Sequence, residues 1–158
     1  ISSEQLATSL TKSMAALKVA GNSLEEIEAL EVAGNTMVQD ADVISNALKV
    51  LSRRLRGTTG SALEEIGEDT EGLIENFSKL NNKIQALTKT VSNPAGVSIV
   101  DKMTGGYKST YQILLEISKV WQDIGDMQKA ELLEIMAGKV RATAAAAILE
   151  RPDLLESV

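Results

Sequence analysis

Eleven glycines and two prolines cut this chain into stretches too short for a continuous helical rod. Inside a helix a glycine costs about 1 kcal/mol relative to alanine, and a proline about 3. The breaks fall at Gly21, Gly34, Gly57, Gly60, Gly67, Gly72, Pro94, Gly96, Gly105, Gly106, Gly125, Gly138 and Pro152. No heptad survives three repeats between them, which argues against a coiled coil. The chain must therefore bury its apolar residues by folding back on itself.

Between the breaks the apolar spacing is helical. Ser2-Ser3-Glu4-Gln5 reads as a capping box, followed by Leu6, Leu10, Met14 and Leu17 and a stop at Gly21. Ser23-Leu24-Glu25-Glu26 repeats the signature, opening a stripe of Leu24, Ile27, Leu30 and Val38 that Gly34 weakens. A third helix starts near Asp40, carries Ile44, Ala47, Leu48, Leu51 and Leu55 inward, and stops at Gly57. Ser61-Ala62-Leu63-Glu64 caps a short helix, and Ser78 caps a segment carrying Leu80, Ile84 and Leu87. Val97, Ile99 and Val100, the Gly105-Gly106 turn and Tyr107 predict a small β-hairpin packed on helices. Ser109 or Thr110 then caps the strongest stripe: Ile113, Leu114, Ile117, Val120, Trp121 and Ile124. Leu132, Leu133, Ile135 and Met136 lie on a helix running into Gly138, and an alanine-rich helix over 142–149 is stopped by Pro152. The expectation is a mainly all-α chain of about six or seven short helices with one hairpin near 97–108. It divides into a three-helix unit (1–57), an acidic short-helix linker region (58–96) and a hairpin plus helical unit (97–151).

The apolar 44% of the chain is mostly aliphatic, with Phe77, Tyr107, Tyr111 and Trp121 the four aromatics, which suits helices packed through aliphatic ridges. Its net charge of −6 is local: residues 57–79 hold six acids against Lys79, whereas 80–158 hold nine acids and nine bases. Neither half offers the basic face of a nucleic-acid binder. No apolar run reaches the ~18 residues that span a bilayer, no signal peptide is visible, and membrane contact is not supported. Starting at Ile1 without a methionine, the sequence reads as a segment of a longer polypeptide.

With no histidine and no cysteine, a Ser–His–Asp triad, a Cys–His pair and a thiolate or imidazole zinc site are all excluded. The dense acids are Glu64, Glu65, Glu68, Asp69, Glu71 and Glu75. Glu64 and Glu68, four apart, can share a helix face and offer oxygens to Ca²⁺ or Mg²⁺, but no EF-hand spacing is present. Capping and solvation account for them; docking of a basic partner is their more credible use. Arg53, Arg54 and Arg56 complement the dipole of the helix they end, or contact phosphate or an acidic partner, the 64–75 stretch included. Glu64, Glu65, Glu68, Asp69, Arg53, Arg54 and Arg56 are the candidates for partner docking. No catalytic, cofactor or metal residue is assigned.

The pieces LSRRLRGTTGSALEEIGEDTEG (51–72), SKLNNKIQALTKT (78–90) and GVSIVDKMTGGYKSTYQILLEISKVWQDIGDMQKAELLEIMAGK (96–139), in this order and spacing, carry more than any one of them. Together with ISSEQLATSLTKSMAALKVAGNSLEEIEALEVAGN and VISNALKVLSRRLRG, the chain from about Ser2 to Leu149 resembles the core region of tail tape-measure proteins of long-tailed bacteriophages and their prophages. The resemblance implies a structural and assembly protein, not an enzyme, whose length sets tail length. Tail-tube subunits, tail assembly chaperones and tail-tip proteins are the implied partners, and self-association is compatible with it. The implied location is the virion tail, and the host bacterial cytoplasm during assembly. The rival reading is a generic helical interaction module of a bacterial signalling or adaptor protein.

Overall fold

A computed structural model describes residues 4, 14–38 and 40–156. After a helical run at 14–19 come α1 (Leu24–Val38), α2 (Ala41–Leu55), α3 (Gly60–Glu65), α4 (Phe77–Leu87) and α5 (Thr110–Val120). A 3-10 turn (Trp121–Asp123), α6 (Asp126–Ala137), α7 (Ala142–Leu149) and α8 (Pro152–Glu156) follow. The mainly all-α class is as expected, with more helices than the six or seven anticipated. Pro152 does not merely stop α7; it opens α8, where a first-turn residue needs no N–H. The Ser2–Gln5 box, Leu6, Leu10 and the Val38 side chain lie outside what is described.

Caps decide where several helices begin. Ser23 and Glu26 form the expected reciprocal box, Ser23 N–H donating to Glu26 Oε1 at 2.9 Å and Glu26 N–H to Ser23 Oγ at 3.2 Å. The Asp40 carboxylate accepts from Asp42 and Val43 N–H at the head of α2, and Ser109 Oγ accepts from Gln112 N–H at the head of α5. Two caps fall two residues earlier than expected. Thr59, not Ser61, caps α3 by accepting from Ala62 N–H at 3.1 Å; Asn76, not Ser78, caps α4 by accepting from Lys79 N–H at 3.0 Å. Adjacent Ser, Thr and Asn compete for one role, and the one whose backbone is extended takes it.

The alanine-rich α7 lies at the centre, packed against α1, α2, α5 and α6. Its small side chains let four helices approach one axis, and Ala144, Ala145, Ile148 and Leu149 are all buried. The expected stripes of α2 and α5 are buried in full, including Trp121 and Ile124 beyond the end of α5. Gly34 lies where α1 meets Ile44, and a Cβ there would stand 2.6 Å from Ile44 Cγ2, so the glycine allows a close approach. One apolar cluster takes in Leu17, Leu48, Leu80, Ile99, Ile117, Ile135 and Ile148, so the three sequence stretches share a core.

The expected hairpin is not formed. A single antiparallel bridge pairs Val100 with Tyr107, flanked by Asp101 N–H to Gly106 O (2.8 Å) and Lys108 N–H to Ile99 O (3.1 Å). The reason lies in α4. Thr88 Oγ1 takes Val97 N–H at 2.6 Å and Asn81 Oδ1 takes Ile99 N–H at 2.8 Å. Alternate amides of this extended run thus bond to side chains of a helix, leaving no ladder to extend. Tyr107 holds the turn down by packing edge-on against Phe77, with ring centroids 4.7 Å apart.

Candidate functional site

Arg54, in the last turn of α2, is the largest fully buried side chain. Its Nη1 donates to the carbonyls of Glu71 (2.8 Å), Glu134 (3.0 Å) and Ile135 (3.4 Å), and its Nη2 to that of Asp69 (2.7 Å). The Asp69 carboxylate stands 3.6 Å from Nη2. Nε has no acceptor among the described residues. Burial pulls the guanidinium below its ordinary value, opposed by the charges of Asp69, Glu134 and Glu68. It nevertheless stays a cation, as arginine does in proteins.

This corrects part of the expectation for the arginine cluster. Arg54 bonds not to the end of its own helix but to the C-terminus of α6, at the Glu134 carbonyl (which also accepts from Gly138 N–H) and that of Ile135, and it makes the expected contact with the acidic stretch at loop 66–72. Cations are favoured at helix C-termini, so the charge is well placed for α6. Two glycines make the approach possible. Gly72 sits at φ 73°, and a Cβ on it would lie 2.7 Å from Glu134 O; Gly138 ends α6 at φ 76°, where a Cβ would lie 2.7 Å from Arg54 Nη2. Any larger residue would be strained in conformation and would also push the loop off the helix end.

The acids separate into two groups. Glu68 forms a two-pronged pair with Arg141, Nε to Oε1 at 3.0 Å and Nη2 to Oε2 at 2.9 Å, which raises the Arg141 guanidinium above its ordinary value. Asp69 accepts from Val140 and Glu71 N–H in addition to facing Arg54. Glu64 and Glu65 remain exposed on α3. Glu64 and Glu68 share no helix face, because α3 stops at Glu65 and Gly67 turns the chain at φ 76°. Among the described residues no group of three or more potential ligands converges on a metal position. Arg53 is exposed, and Arg56 holds its guanidinium 4.5 Å above the Tyr107 ring.

Other polar contacts that hold the fold gave no signal in the sequence. Asn22 Oδ1 caps toward α5 by accepting Tyr111 N–H at 2.8 Å, while its amide donates to Leu17 O. Ser109 Oγ reaches Glu26 Oε2 at 2.9 Å, and the Tyr111 hydroxyl donates to Leu155 O at 2.6 Å. Each joins residues more than forty apart in sequence or bridges two helix ends, so periodicity cannot reveal it. Compared with protein-family models, with curated proteins and with solved structures, the chain matches none. No helix among the described residues is long and apolar enough to cross a membrane.

Proposed function

We propose that this chain is a folded assembly module of a phage or prophage tail tape-measure protein. One observation supports the part of this reading that makes the segment a folded module. Three of its separated pieces, LSRRLRG (51–57), GEDTEG (67–72) and MAGK (136–139), meet at the Arg54 knot and supply its cation, its acidic loop and its helix end. Pieces that look unremarkable one at a time thus make sense as parts of a single folding device. The mainly helical fold is compatible with such a module.

In this role the module acts by contact. It presents helix faces to tail-tube subunits, assembly chaperones or tip proteins in the host cytoplasm, and it is carried into the virion tail. The test is an epitope tag placed in frame at the exposed Gly105-Gly106 turn of the parent gene. Tails purified after induction should carry the tag in fixed proportion to tube protein. Recovery of the tag only in a soluble signalling or adaptor complex, with untagged tails, would replace this reading by the helical interaction module.

A further inference from the structure

Two guanidinium groups have no carboxylate partner among the described residues. Arg54, Arg141 and Arg151 each face a carboxylate, at 3.6, 2.9 and 2.6 Å. Arg53 and Arg56 pair with none among the described residues, although the chain carries 22 acids against 16 bases. Both line one concavity of about 350 Å³ whose other wall is Ala15, Ala16, Val19 and Ala20. Val19 is 81% exposed there and adds an apolar side chain to that wall.

We propose that this groove docks an acidic amphipathic helix of a partner protein. Arg53 and Arg56 are three apart at the end of α2 and so project on one side, spaced to meet carboxylates three or four apart on a facing helix. Guanidinium groups bind carboxylates through paired, planar N–H donors, which makes carboxylate the fitting ligand chemistry. The alanines and Val19 give a shallow apolar floor, and its volume accepts a leucine-sized side chain set between those carboxylates. Arg56 is already held in place: its guanidinium rests on Tyr107 and lies against Gly21, where a Cβ would come within 2.6 Å of Nη2. Ordering it on binding therefore costs little entropy. An extended polyanion fits less well. Two arginines above an apolar floor, on a chain of net charge −6, do not make the broad basic face that DNA or an anionic membrane needs. The inference stands apart from the tape-measure reading, and either can fail without the other.

The probe is a synthetic helical peptide of about five turns, alanine-rich, carrying Glu, Leu and Glu on one face, with a counterpart bearing Lys in place of Glu. Binding to the intact chain is followed by heteronuclear NMR and calorimetry. The acidic peptide should shift the amides of Ala16, Val19 and Arg53, and should bind at least about tenfold more tightly than its Lys counterpart. Arg53→Glu and Ala16→Trp, the first reversing one charge and the second filling the groove, should each weaken it by about tenfold or more. Because Arg53 is exposed and Ala16 half-buried, both variants should keep the native melting curve. Absence of acidic-peptide binding at millimolar concentration would overturn the proposal. So would equal binding of the two peptides, or undiminished binding to both folded variants. Binding of duplex DNA or of phosphatidylserine vesicles at this groove in preference to the peptide would overturn it as well. A salt-sensitive dimer of the chain that Arg53→Glu abolishes would give the groove to a second copy instead.

Discussion

At the scale of single residues, the molecule depends on polar groups that answer to distant backbone. Arg54 is the extreme case. Spacing alone placed three arginines at a helix end, and nothing local separates the buried one from the exposed one and the ring-stacked one. The distinction comes from which of them points at loop 66–72 and the end of α6, which the fold alone determines. Replacing Arg54 by Met should leave the carbonyls of Asp69 and Glu71 without their donor and remove the cation facing the Asp69 carboxylate, which keeps its Val140 and Glu71 N–H donors. Each buried acceptor left unpaired costs about 1–3 kcal/mol, to be read from urea unfolding. Arg54→Lys should recover only part of that loss, since a point charge cannot reach four separate carbonyls; full recovery would mean that charge alone matters. Tyr111 gives a pH-dependent counterpart. Burial, and then the charges of Glu26 and Glu156, raise its phenol above the ordinary value near 10. The unfolded phenol therefore ionises first, and the contribution is complete below pH about 10 and lost as pH rises through the higher folded value. Tyr111→Phe should flatten the alkaline fall in stability while lowering stability at neutral pH by about 1 kcal/mol for the bond to Leu155. An unchanged alkaline slope would assign the effect to other groups.

At the scale of elements, what could be read was what is local. The stripes of α2 and α5 depend on the spacing of apolar residues along one helix, and each was visible as such. The caps of α3 and α4 were displaced by two residues because Thr59 competes with Ser61, and Asn76 with Ser78, within one turn. The failure at 97–108 is of another kind. The apolar β-branched run and the Gly-Gly turn are real hairpin signals, and one bridge does form between Val100 and Tyr107. Asn81 on α4 and Thr88 at its C-cap capture the amides that a longer ladder would need. Asn81→Ala would leave the Ile99 amide buried without an acceptor, at a cost of about 1–3 kcal/mol. Hydrogen exchange should then show the Ile99 amide losing protection well before those in the middle of α5. Protection retained at Ile99, together with a newly protected ladder, would mean that α4 holds back a hairpin otherwise ready to form.

At the scale of the whole molecule, the question is whether these residues serve as length or as shape. As one continuous helix, a chain this long would reach about 240 Å at 1.5 Å per residue. Folded back on itself, a domain of this size spans only about 40 Å. The sequence already opposed the rod through its breakers. The packing adds a stronger reason: α1 and α2 lie against α7, and Arg54 bonds to carbonyls eighty residues further along, so extension means dismantling a shared core. Such a unit is expected to contribute by folding and docking, with its loss felt as failed assembly. On the proposed tape-measure reading, deleting residues 14–156 in frame from the gene should therefore yield few tails, or tails of irregular length, by electron microscopy. On the same reading Arg54→Met should reproduce that defect in milder form, since it weakens the fold without removing any residue. Uniform, infectious tails shortened by roughly the full helical increment, with Arg54→Met tails of normal length and yield, would show instead that the segment serves as plain length and that its fold is dispensable.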